Sequence, residues 1–106
     1  MKPALFHPQA RAALRNFPDN VRRELGKAIF DLQKGRKLSM PLSRPMPAIA
    51  PGVEELRIKD RSGAYRVFHL ARLETAVLIF HAFKKKTAKT PVHEIELART
   101  GLKEML

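Results

Sequence analysis

The stretch Ala76 to Phe83, AVLIFHAF, is apolar at every position except His81. Eight residues suit a β-strand, and one that is apolar on both alternations needs cover on both faces. This segment is therefore expected in the middle of a sheet, and the rest of the chain has to supply the layers that pack on it.

The first half reads as helical. Ala4 to His7 is a short strand, and Pro8 follows where proline is tolerated, in the first turn of a helix. Ala10, Ala13, Leu14 and Phe17 then share one helical face. Pro18 restarts the chain, with Asp19 placing an anion at the positive end of the next helix dipole. Val21, Leu25, Ala28, Ile29 and Leu32 form its apolar stripe, and Gly35 suits the left-handed conformation that often ends a helix. A helical hairpin results.

From Arg36 to Gly52 the chain carries four prolines, at 41, 45, 47 and 51, which argue for a connecting loop. The period then changes to two. Leu56 and Ile58 point one way while Glu55, Arg57 and Lys59 point the other, so this strand is expected to keep one wet, charged face. Asp60 to Gly63 is turn chemistry leading into an alternating strand from Ala64 to Arg72, and the apolar strand completes a three-stranded meander. Thr90 and Pro91 resemble an N-cap and a first-turn proline; Ile95, Ala98, Leu102 and Leu106 mark one face of a closing helix, which Gly101 should weaken. The expected fold class is α+β: a small, mostly antiparallel sheet with an N-terminal helical hairpin on one face and a C-terminal helix.

A length of 106 residues, 44% of them hydrophobic, suits a single domain spanning 1–106 with its own core. No cysteine is present, which removes disulfides and thiolate metal sites. No apolar run approaches the roughly 20 residues of a membrane span, and the start, MKPALFHPQAR, lacks the apolar stretch of a secretion signal. A cytoplasmic protein with no membrane partner is expected. Lys and Arg number 21 against 10 Asp and Glu, a formal net charge of +11, and such a surplus attracts polyanions, nucleic acid first among them.

Placement sharpens that reading. Arg57, Lys59, Arg61, Arg66 and the run Lys84 to Lys86 fall on adjacent strands or their ends, so folding should gather them into a patch that reaches phosphates. Arginine adds a planar fork of donors that can clamp a phosphate.

The stretch LRIKDRSGAYRVFHL, followed by VLIFHAFKKKTAKTP, resembles the core signature of the RelE/ParE toxin superfamily, and most closely its phage-associated HigB-like branch. With the preceding helical hairpin the likeness spans nearly the whole chain. It implies a RelE-like fold and a type II toxin that cleaves messenger RNA, often at the ribosome, without a metal or other cofactor. It also implies a cognate antitoxin, expected to be a helix-turn-helix protein. Metal-free cleavage through the ribose 2′-OH needs a proton acceptor, oxyanion stabilisation and a proton donor. By position in the motif, Arg57, Lys59, Arg66 and Lys85 fill the catalytic basic places. Arg66 clamps the phosphate, Lys59 or Arg57 steers the backbone and eases ionisation of the hydroxyl, and Lys85 completes the cradle. Arg61, Lys84, Lys86 and Lys89 are expected to bind RNA. The better-known RelE pattern has a tyrosine in its C-terminal segment, but the only tyrosine here is Tyr65; His93 is taken as the proton donor instead.

Each residue has a structural reading as well. The lysine run can be a solvated face, Arg57 can pair with Glu55, Arg66 needs an anionic partner if it lies on an inner strand, and His69 and His81 suit hydrogen-bonded core positions. HEIE at 93–96 lacks the second histidine of a zinc helix. Two other functions stay open at this level. A ParE-like inhibitor of DNA gyrase would use the same fold, and a nonenzymatic relative would bind nucleic acid or antitoxin without chemistry.

Overall fold

The computed structural model describes residues 1–106 as five strands and three helices. In chain order these are β1 (Ala4–Phe6), α1 (Pro8–Arg15), α2 (Asp19–Gln33), β2 (Ser43–Pro45), β3 (Val53–Asp60), β4 (Gly63–Leu70), β5 (Val77–Lys85) and α3 (Val92–Met105). The sheet runs β1-β5-β4-β3-β2, with every pair antiparallel except β1 with β5. The expected α+β architecture is present, and the apolar strand β5 lies inside the sheet.

Each sheet face has its own core. On one face the α2 stripe of Val21, Leu25, Ala28, Ile29 and Leu32 meets Leu56, Ile58, Tyr65, Val67, Val77 and Ile79, with Phe17 from the α1–α2 junction. On the other, Ala98 and Leu102 of α3 pack with Phe68, Leu70, Leu78, Phe80 and Phe83. Fully burying a large apolar side chain contributes about 1.5–3 kcal/mol, so this double cover is what makes an all-apolar β5 stable. Gly35, at φ 83°, ends α2 in the left-handed region as expected.

Five details differ from the sequence reading. The proline loop contains a strand: Ser43–Pro45 pairs with β3 at the sheet edge, where the missing proline N–H is tolerated. The expected wet face of β3 is dry at Glu55, which is 2% exposed, and opens to solvent only toward Lys59. Strand β5 continues through the first lysines to Lys85, so successive lysines point to opposite faces. Pro91, rather than Thr90, occupies the α3 N-cap and offers no side-chain bond, while Leu106 lies beyond the helix and is exposed. Gly101 is buried against β5: a Cβ there would stand 2.8 Å from the Phe80 carbonyl oxygen, so the residue read as a weakness is what lets α3 approach the sheet.

Candidate functional site

Strand register sorts the basic residues. In antiparallel pairs, directly opposed residues project from the same face. Three rungs therefore cross the face that carries α3: Arg44, Glu55, Phe68 and His81; then Arg57, Arg66 and Phe83; then Lys59, Ala64 and Lys85. Helix α3 covers the apolar end of this face, and the three rungs form the end beside it.

Arg57 and Arg66 are opposed like charges, an arrangement that costs free energy unless an anion intervenes. Glu55 is that anion. Its Oε1 lies 3.6 Å from Arg57 Nε and 3.7 Å from Arg66 Nε, too far for hydrogen bonds but close enough for strong Coulomb attraction in a buried site. Glu55 Oε2 and both arginine Nε atoms are buried without hydrogen-bond partners. Buried polar atoms are nearly always paired, so these three unpaired atoms set the cluster apart from an ordinary core. Arg66 also donates from Nη1 to the Tyr65 carbonyl, which helps fix its guanidinium.

Burial pulls the Arg66 guanidinium below its ordinary value, with Glu55 opposing and Arg57 and Arg44 adding to the effect. It remains a cation at neutral pH. Burial and then the Arg66 charge likewise lower the Lys85 ammonium, again against Glu55 and with smaller help from Arg57 and Arg44. Lys85 thus gives up its proton more readily than a surface lysine.

Lys85 stands between two cavities. One, of about 310 Å³, is lined by Phe83, Lys85, Lys86, Pro91, His93 and Glu94 among others; a second, of about 350 Å³, brings Lys85 together with Arg44, Met46, Lys89 and Thr90. At the first cavity the Glu94 carboxylate accepts from His81 Nε2 at 2.6 Å and lies 3.3 Å from His93 Nε2. The His81 ring stacks on Phe68, with centroids 5.8 Å apart and planes 25° from parallel.

Of the residues singled out from sequence, Arg57, Arg66 and Lys85 converge on one patch, Lys59 adjoins it on the same rung as Lys85, and Lys86, Lys89 and His93 line the flanking cavities. Arg61 sits at the exposed β3–β4 turn. Lys84 also borders the first cavity, but its side chain does not join the cluster: it projects from the opposite face, its Nζ 5.9 Å from the Tyr65 ring centroid, because it alternates with Lys85. His81 is the hydrogen-bonded histidine expected, and its partner is Glu94. Sequence reasoning missed Arg44, which hides among the prolines, and the joint role of Glu55 in holding two arginines. The outward alternation of Glu55 with Arg57 was the available signal for the latter. No group of three or more His, Asp or Glu side chains is placed to hold a metal ion.

Residues 12–103 match the family described as phage derived protein Gp49-like (DUF891). The chain belongs to that family. It is a family of RelE/HigB-type toxins of toxin–antitoxin systems, and membership implies an antitoxin partner. The fold also matches the free state of a mutant of the E. coli toxin RelE, with a TM-score of 0.59 and 21% identity over the full length of both chains. No curated protein matches the sequence. No helix is long and apolar enough to cross a membrane.

Proposed function

We propose that this RelE-like toxin is a metal-independent endoribonuclease that cuts messenger RNA at the ribosome, in the cytoplasm, until its antitoxin blocks it. The observation that carries this reading is the cluster on the open end of the sheet, where Arg44, Arg57, Arg66 and Lys85 surround the single buried carboxylate of Glu55. Four cations against one anion leave a surplus that suits a phosphodiester.

In this reading Arg66 and Arg57 hold the non-bridging oxygens of the scissile phosphate and stabilise the extra charge of the pentacoordinate transition state. Lys85, its ammonium lowered by burial and by Arg66, takes the 2′-OH proton in its neutral form. The 2′ oxygen bonds to phosphorus, the bond from phosphorus to the 5′ oxygen breaks, and His93 delivers a proton to that leaving oxygen. The products are a 2′,3′-cyclic phosphate and a 5′-hydroxyl. Lys59, Lys86 and Lys89 guide the flanking strand, and Arg61 extends the contact at the turn.

Expression of Arg66→Ala tests this reading. Growth arrest and cleavage of translated messenger RNA should both vanish while the purified variant keeps its far-UV circular dichroism. Continued arrest by Arg66→Ala, or arrest with intact RNA and a DNA damage response, would overturn it.

A further inference from the structure

Glu94 occupies an unusual position in the cavity wall. Neighbouring residues on a helix project about 100° apart and do not normally face each other, yet His93 Nε2 reaches back to Glu94 Oε2 at 3.3 Å. The other oxygen, Oε1, is already engaged by His81 Nε2 at 2.6 Å. Exposure grades along this chain: the side chain of His81 is 14% exposed, that of Glu94 17%, and that of His93 69%. The inner end is fixed by the sheet, because His81 stacks on Phe68 and lies 5.5 Å from the Phe83 ring. The outer end opens into the cavity that Lys85 also lines.

We propose that Glu94 is the positioning residue for the site's proton donor, a role that rests on the ribonuclease reading. Glu94 sets the direction of His93 by the attraction of its carboxylate, and His81 sets Glu94. Glu94 Oε1 accepts from His81 Nε2–H, while Oε2 lies 3.3 Å from His93 Nε2 as a charge contact without a hydrogen bond. That contact turns Nε2 of His93 toward the carboxylate and leaves Nδ1 as the nitrogen that faces substrate. A solvent-mobile imidazole on the first turn of α3 thereby acquires a fixed geometry relative to Lys85 on β5, as a proton donor and acceptor must have across one scissile bond. At metal sites, outer partners that orient a histidine are commonly worth about 10–100-fold in affinity or activity, which sets the scale for the carboxylate here.

The same contacts could in principle do no more than tie α3 to the sheet, and the experiment separates the two roles. Single-turnover cleavage of messenger RNA on translating ribosomes is measured for wild type, Glu94→Gln, His93→Ala and the double variant, with folding checked by thermal unfolding. Glu94→Gln should lower the rate constant at saturating enzyme about tenfold or more with little change in RNA affinity. In the His93→Ala background the same change should have almost no further effect, since the residue it acts through is gone. His81→Phe keeps the stacking surface and removes the hydrogen bond; it should also slow cleavage, by a smaller factor. NMR of labelled histidines should show the Nε2–H tautomer at neutral His81, and relaxation of the His93 ring should show it restricted in the wild type and more mobile in Glu94→Gln.

Multiplicative effects of Glu94→Gln and His93→Ala, or equal mobility of the His93 ring in wild type and Glu94→Gln, would overturn the positioning role while leaving the ribonuclease reading in place. Absence of cleavage by the wild type would overturn both.

Discussion

Replacing Glu55 with glutamine should destabilise the fold far more than its single charge suggests. The carboxylate is 2% exposed and lies 3.6 and 3.7 Å from two guanidinium nitrogens, of which Arg66 is 9% exposed and Arg57 29% at the side chain. At these separations an effective dielectric constant of about 20 gives roughly 4 kcal/mol of Coulomb attraction per pair. Part of that offsets the desolvation of three charges, and removing one member of a buried pair typically costs about 3–5 kcal/mol because the partner stays buried and unpaired. Here two partners are left, facing each other across β3 and β4. Glu55→Gln should therefore lose about 3–5 kcal/mol, a large share of the roughly 5–15 kcal/mol that holds a typical domain. Urea unfolding followed by circular dichroism measures this. Adding inorganic phosphate should restore more stability to Glu55→Gln than to the wild type, because an anion bound only by the folded state stabilises it by mass action. A loss below about 1 kcal/mol, or equal phosphate effects on both proteins, would refute the claim that Glu55 holds the two arginines together.

Three further outcomes are expected. Gly101→Ala should lower the melting temperature even though alanine favours helix by about 1 kcal/mol, since its Cβ would meet the Phe80 carbonyl oxygen at 2.8 Å; a rise in melting temperature would show that α3 can back away without loss. Burial pushes the His69 imidazole down to about 4, against Glu54 and a Val67 backbone contact, so the native state keeps it neutral where the unfolded chain, near 6.5, binds a proton. Stability is then full above about pH 6.5 and falls by roughly 3 kcal/mol as the pH drops toward 4; NMR titration of His69 near 6.5 in the folded protein would contradict this. Finally, Lys89→Gln should reduce the salt slope of single-stranded RNA binding by about 0.7, measured by fluorescence anisotropy, whereas an unchanged slope would place Lys89 outside the phosphate contacts.

The fold was largely readable because its constraints are periodic. The stripe from Val21 to Leu32, the alternation through Leu56 and Ile58, and the unbroken Val77 to Phe80 each state which face is buried, and all three faces are buried as expected. Strand β2 was not readable, since three residues ending in proline carry no period and are held by the neighbouring β3. Gly101 shows the same limit in a helix: propensity alone marks it as a weak point, and only the approach of the Phe80 backbone gives it a purpose.

The site was legible in its parts rather than its arrangement. Alternation places Arg57 outward, but its opposition to Arg66 depends on the register set by the Asp60–Gly63 turn, where the Asp60 carboxylate accepts from Ser62 and Gly63 backbone N–H groups. The lysine run looked like one feature in sequence and is divided by the continuing pleat of β5 between two faces of the sheet. Glu94 and His81 are 13 residues apart, and nothing local marks them as partners; the packing of α3 on β5 brings them together.

The chemistry of the cut ends tests the central claim most directly. Purified toxin is incubated with messenger RNA on translating ribosomes, and the termini of the fragments are identified. Attack by the neighbouring 2′-OH at a cationic site predicts 5′-hydroxyl and 2′,3′-cyclic phosphate ends, lost in Arg66→Ala. Fragments with 5′-phosphate ends, or RNA left whole, would contradict it.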